Sequence, residues 1–265
     1  GIIATHWGWK HAFGLAAIPG FIVAMLFLFV KDYKTVDLSF VDKMNHKTKM
    51  KVSDIFKEFL TRPSLIFTYL GITAVVFVST SLITWLSTYF QVTRNLPASK
   101  AGTMSSIVMV LAIIGAPVGG VITDAWRKKL PNARLVFPAL TSLLASLFLA
   151  AALFFTQGPV QYLFFLLMGV TLTAFISAAS AVTQDVVHAG LRATSYAIAV
   201  VVQNLLGASL APVFIGHMYD NHGIVPAFTI LPFVLLVAAI LFFAGSFYYN
   251  SDLEKVSKIK LEAAQ

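Results

Sequence analysis

Two adjacent side-chain amides, Gln203 and Asn204, stand inside a long apolar run. Thr173, Ser177, Ser180 and Gln184 recur at intervals of four, three and four, which is one face of an α-helix. Arg192, Tyr196 and Gln203 lie on one face of another run. On a third, Thr73, Thr80, Thr84 and Ser87 share a face with Phe77, and Trp85 and Tyr89 follow. The chemistry these groups offer is hydrogen bonding to a solute, not bond making or breaking. Burying an amide without partners costs roughly 1–3 kcal/mol, and a hydrated cavity supplies partners at least cost. Gln203, Asn204, Tyr196, Thr173, Ser177, Ser180 and Thr84 are therefore the candidate substrate contacts. A competing reading stays open, because Ser and Thr in membrane helices often bond to their own backbone. Trp85 and Tyr89 equally suit an aromatic belt at the membrane surface.

What is missing narrows the chemistry further. No charged residue sits in the middle of any apolar run, so no carboxylate is placed for proton coupling. His6, His11, His46, His188, His217 and His222 fall at or beyond run ends without metal spacing. Nothing resembles a nucleotide loop, a nucleophile elbow or a zinc motif, so no metal and no cofactor is expected. A membrane enzyme would need a clustered acid, base or metal set at one depth, and the chain shows none. Without cysteine there are no disulfides.

The chain is 58% hydrophobic and only 11% charged, against about 25% charged residues in soluble proteins. Seven apolar stretches, near 11–30, 64–90, 102–123, 135–156, 160–183, 194–216 and 225–249, are long enough to cross a bilayer. The expectation is an all-α membrane protein of seven transmembrane helices embedded in a lipid bilayer. If the 31–63 connection is cytoplasmic, that side collects sixteen of the nineteen Lys and Arg, and only Lys10, Arg94 and Lys100 fall opposite. The net charge of +8 is thus a topology signal and not a nucleic-acid footprint.

The connections divide the chain into a span over 1–30, a linker over 31–63, a bundle over 64–250 and a cytoplasmic tail over 251–265. Within the linker, Ser53 and Asp54 can cap a short surface helix with Ile55, Phe56, Phe59 and Leu60 on one side. An odd span count with no leader predicts that a further N-terminal half of the same polypeptide precedes the chain. A phrase is also written twice. Ala116-Pro117-Val118 leads to Gly120 and Asp124, and Ala211-Pro212-Val213 leads to Gly216 and Asp220, 95 residues on. The last six spans split accordingly into two threes, 64–156 and 160–249, of inverted topology. Secondary transporters are built from such repeats.

One span, a charged linker and six spans in two inverted threes resemble the C-terminal half, spans six to twelve, of a major facilitator superfamily transporter. Gly120-Val-Ile-Thr-Asp124-Ala-Trp-Arg127-Lys128-Lys129 is similar to that family's cytoplasmic signature, with Ala125 where a basic residue is usual and Arg127 where Gly is usual. Gly8-Trp9-Lys10-His11-Ala12-Phe13 and Ile18-Pro19-Gly20 resemble its sixth span. Arg192 and the stretch from Asn204 through Gly207, Pro212 and Gly216 to Asp220 resemble the eleventh span of spinster-like and organic-anion members. The resemblance implies a cell-membrane secondary transporter that moves a small organic solute (organic anion, sugar-like or amphipathic lipid) by alternating access, not an enzyme. It also implies that the second and fifth spans line the cavity, flanked by the third and sixth. Gly120, Asp124, Arg127, Lys128, Lys129, Arg192, Pro117, Pro212, Gly216 and Asp220 become candidate gating residues, with Asp124 expected beside Arg192 or the start of the sixth span. A seven-span receptor fits the span count and orientation, but explains neither the repeat nor the single long linker.

Overall fold

The computed structural model describes residues 8–29 and 58–256. It separates into two units, Gly1–Asp54 and Ile55–Gln265, each taken by itself. In the first, a helix runs over Trp9–Phe27, with its apolar part at Ala17–Phe27. Gly8 precedes it at φ +83°, a conformation that a side chain would strain. Most of the 31–63 linker, including Ser53, Asp54, Ile55 and Phe56, lies outside the described residues, as do residues 257–265. Of the predicted surface helix, Phe59 is buried in the bundle core while Leu60 is exposed.

The second unit holds six helices long and apolar enough to cross a membrane: Pro63–Arg94, Ala98–Arg127, Ala133–Phe155, Gly158–Asp185, Ala189–His222 and Ile224–Glu254. They match the predicted second to seventh spans, and no strand occurs among the described residues. Pro63 at the first helical turn starts the second span where a missing N–H costs nothing. Asn95, left-handed at φ 48°, ends it. Two spans carry π turns, Ala151–Phe155 closing the fourth and Gln203–Ala208 within the sixth.

Small residues decide which helices touch. A Cβ on Gly115 would collide with the Val170 carbonyl, and one on Gly119 with the Ala174 carbonyl. The third span therefore lies directly on the backbone of the fifth, the close approach that small residues allow in membranes. Gly169 returns the contact, its absent Cβ falling 2.8 Å from the Val108 carbonyl. The sixth span meets the second in the same way. A Cβ on Gly207 would stand 2.7 Å from the Thr73 carbonyl, and one on Gly216 3.1 Å from the Trp85 ring. The fourth and seventh spans pair with each other, where Ser146 donates to the Pro232 carbonyl at 2.7 Å. Exchanging the second with the fifth, the third with the sixth and the fourth with the seventh maps this contact set onto itself. Both copies of the repeated phrase thus pack against the first helix of the other trio.

Aromatic rings fill the middle of the bundle at one end: Tyr89 stacks on Phe228 at 4.8 Å and Phe90 meets Phe165 edge-on at 5.3 Å. Gly119→Ala should force the third and fifth spans apart at a cost of about 1–3 kcal/mol. Its thermal midpoint in detergent should fall by roughly 2–10 °C. Gly102→Ala, which would meet only Ser87 Oγ at 4.0 Å, should leave the midpoint unchanged. Equal midpoints in the two variants would refute this account of the helix contact.

Candidate functional site

Part of the hydroxyl and amide set converges on one cavity. Thr173, Ser180, Tyr196 and Gln203, with Ser79, line a space of about 290 Å³ between the second, fifth and sixth spans. Ile72, Val76, Phe175, Ile176, Ala199 and Val200 supply its apolar wall. No charged side chain lines it. The helices place these groups by register. Gly207 brings the sixth span onto the second, and the π turn that begins at Gln203 re-aims the residues on this stretch of helix.

The remaining members go elsewhere. Thr84 is exposed on the second span and makes no hydrogen bond among the described residues. Ser177 donates to the Ala116 carbonyl at 2.9 Å, and Thr173, while lining the cavity, donates to the Ala112 carbonyl. These two hydroxyls tie the fifth span to the third, beside the glycines that let the helices meet. Asn204 is exposed and donates to the Val200 carbonyl at 2.7 Å, while its own backbone carbonyl accepts from the Ser209 N–H and hydroxyl at 2.9 and 2.8 Å. Adjacent in sequence, the two amides therefore differ in surroundings: one faces a cavity and the other holds a π turn.

At the basic end, where the 128–132 and 186–191 connections turn, a polar cluster joins four spans. Arg134 bonds to Asp185, Tyr249 donates to the same carboxylate oxygen at 2.9 Å, and Asp124 stands 3.9 Å from Arg134. Asp124 is 74% exposed, whereas Arg134 and Asp185 are 15% and 23% exposed, so Asp185 is the principal partner. The cation beside Asp124 is thus Arg134 and not Arg192, which is exposed without an ion pair among the described residues. The reason is local: a short connection folds the start of the fourth span back under the end of the third.

Neighbouring contacts close the same end. Asp252, 1% exposed, accepts from the Ser64 N–H and hydroxyl at 2.9 and 2.7 Å and so caps the second span from the seventh. Arg62 donates to the Asp252 carbonyl at 2.8 Å, and Glu58 accepts from the His188 N–H at 3.0 Å. The Tyr69 hydroxyl lies 2.8 Å from that of Ser195, which bonds onward to the Thr183 carbonyl, linking the second, sixth and fifth spans. Sequence reading missed Arg134, Asp185, Tyr249, Asp252 and Tyr69 as a set. Its only signal was that each polar residue stands at a span end.

The other candidate gating residues are dispersed. Arg127, Lys128 and Lys129 are exposed on the turn after the third span. Pro117 lies inside the third span, and the absent Cβ of Gly120 falls 3.2 Å from Ser177 Oγ. At the opposite end, the Pro212 carbonyl accepts from Trp85 Nε1 at 3.2 Å, and Trp85 meets Tyr219 edge-on at 5.6 Å. Asp220 is exposed there without an ion pair among the described residues. No group of three or more His, Cys, Asp or Glu able to hold a metal occurs among the described residues.

Known proteins are similar to this chain in sequence and in fold. "Protein spinster homolog 3" of Danio rerio is 28% identical over 80% of this chain and 45% of its own length. The "Hexuronate transporter" of Bacillus subtilis (strain 168) is 27% identical over 60% of this chain and 38% of its own length. The chain spans about half the length of the curated relatives it matches. A crystal structure of a bacterial homolog of the human lysosomal transporter spinster, inward-facing and unoccupied, superposes with a TM-score of 0.69. That match has 18% identity and covers 92% of this chain and 60% of the other, so it speaks for the fold. The sequence matches the Major Facilitator Superfamily over residues 1–212, and this multi-pass membrane chain belongs to that family.

Proposed function

We propose that this chain is the C-terminal half of a secondary transporter that carries a small organic solute by alternating access. The observation that carries the reading is the uncharged, partly polar cavity enclosed by three spans drawn from both trios. Gln203, Tyr196 and Ser180 are its proposed solute contacts, with Thr173 lining the same space while its hydroxyl is held by the Ala112 carbonyl. Such a lining recognises hydroxyls, carbonyls or ethers set on an apolar body, which suits a sugar-like, organic-acid or amphipathic lipid solute. The hexuronate transporter among the relatives fits the first two of these, and any counter-charge for an acid would come from the N-terminal half. The third and sixth spans are the least covered, with 28% and 22% of their apolar windows buried against 44–56% elsewhere. Their bare flanks support an N-terminal half seated on them, with lipid around the rest.

In this reading residues 1–30 end the N-terminal half, 31–63 are a cytoplasmic linker, 64–250 the transporting bundle and 251–265 a cytoplasmic tail, in a cell membrane. The basic cluster is then a cytoplasmic latch to which Asp124 contributes. Three single cysteines in the protein that carries this chain test the assignment. At Lys129 a cysteine should resist an impermeant thiol reagent in intact cells, and at Lys100 it should react. At Ser180 it should react with a small permeant maleimide and be protected by transported solute. An inert cysteine at Ser180 would remove the solute from this cavity, and reversed labelling at Lys129 and Lys100 would overturn the topology.

A further inference from the structure

Arg94 closes the second span at the end opposite the basic connections, on the rim of a cavity of about 680 Å³. The wall is formed by Thr93, Gln157, Gln161 and the turn from Leu153 to Gly158. This space is separate from the solute cavity and shares no residue with it.

The guanidinium has been positioned by neutral groups only. Its Nη2 donates to the Gly158 carbonyl at 2.7 Å and to Gln161 Oε1 at 2.9 Å, and its carbon lies 5.3 Å from the Phe90 ring centre. Gln161 is itself fixed, its amide N–H groups donating to the Ala152 carbonyl at 2.8 Å and to the Tyr89 hydroxyl at 3.3 Å. No Asp or Glu pairs with Arg94 among the described residues, and its Nε is buried without a hydrogen-bond partner. Its Nη1, by contrast, makes no hydrogen bond among the described residues and is reachable from outside. A rigidly held cation with an accessible spare donor and no counter-ion is complementary to an oxyanion. Gln157, exposed on the same rim, adds an amide N–H.

The surroundings say where that oxyanion comes from. Phe154 and Phe155 line the same cavity and are 47% and 82% exposed at the end of an apolar span, facing outward as lipid contacts do. Val160 and Leu163 continue an exposed apolar strip along the next helix. A phosphate at Arg94 would sit at headgroup depth, with acyl chains along these residues. We propose that this cavity binds the headgroup phosphate of a phospholipid, with Arg94 as its cationic ligand, Gln157 as a second donor and Phe154 and Phe155 against the chains.

The test uses the protein that carries this chain, purified in detergent, with native mass spectrometry reading bound lipid. The probes are dioleoylphosphatidylglycerol, dioleoylglycerol (which lacks the phosphate) and inorganic phosphate. Arg94→Gln should weaken phosphatidylglycerol binding about tenfold, as loss of a charge-assisted hydrogen bond does, and leave dioleoylglycerol binding unchanged. Gln157→Glu puts a carboxylate into the cavity without touching the bonds that hold Arg94, and should weaken phosphatidylglycerol to a similar extent. If Arg94→Gln does not fold, Gln157→Glu alone decides. Undiminished phosphatidylglycerol binding in the folded variants would overturn the site. Displacement of the lipid by millimolar inorganic phosphate would overturn the headgroup assignment in favour of a free-ion site.

Discussion

Under the proposed transport function, Asp185→Asn should cut solute uptake by the protein that carries this chain roughly tenfold or more, and Asp124→Asn by less than about fivefold. The difference follows from what each carboxylate touches. Asp185 takes both the Arg134 guanidinium and the Tyr249 hydroxyl and is three-quarters shielded from water. Losing its charge removes a charge-assisted hydrogen bond worth about 1.5–3 kcal/mol and leaves the largely buried Arg134 with only the solvent-exposed Asp124 as counter-ion. Asp124 stands 3.9 Å from Arg134 with 74% of its side chain in solvent. Ion pairs that exposed contribute about 0–1 kcal/mol. If the cluster forms in only one of the two access states, the first loss shifts their ratio roughly 10- to 150-fold and the second at most about fivefold. Cysteine pairs across the basic mouth should therefore cross-link much less in Asp185→Asn. Because both act through Arg134, Asp185→Asn should add little on an Arg134→Gln background. Additive losses, or equal effects of the two Asp substitutions on the wild-type background, would show that the cluster is not a unit.

The sequence carried what depends on period and length. Each of the six predicted spans of the bundle agrees with an observed helix to within six residues at either end, since about 20 apolar residues in a row admit few readings. The repeated Pro-Gly phrase announced symmetric packing, and Gly115, Gly119, Gly207 and Gly216 mark the helix contacts. What stayed hidden was pairing across distance. Arg134 and Asp185 are 51 positions apart, and Ser64 and Asp252 are 188 apart. Nothing in either local stretch records that the other arrives beside it. The signature around Asp124 drew attention to a side chain that is mostly in water, because a phrase is visible in sequence and a tertiary contact is not. The same limit applies to the hydroxyl stripe. Spacing put Thr173, Ser177 and Ser180 on one helix face, but only the neighbouring third span decides that Ser177 turns to the Ala116 carbonyl.

Gln203 and Asn204 show that limit most sharply and give the clearest test of the cavity. In an ideal helix adjacent residues point about 100° apart, and here both residues open the π turn Gln203–Ala208. Gln203 lines the cavity and makes no hydrogen bond among the described residues, so both its donors and its acceptor are free for a solute. Asn204 donates to the Val200 carbonyl one turn back. Replacing Gln203 by Leu keeps the volume and removes one or two hydrogen bonds, a loss of about 1–3 kcal/mol of binding and hence roughly 5- to 150-fold in affinity. Replacing Asn204 by Leu removes a bond that a helix carbonyl can do without, so affinity should change less than about threefold, within about 0.7 kcal/mol. Gln203→Glu adds a charge to a cavity without one, and should reject an acidic solute more strongly than a neutral one of similar size. Equilibrium binding of the transported solute to the purified protein reads all three variants, with thermal unfolding as the control for folding. A larger loss in Asn204→Leu than in Gln203→Leu would move the solute from this cavity to the exposed face of the sixth span.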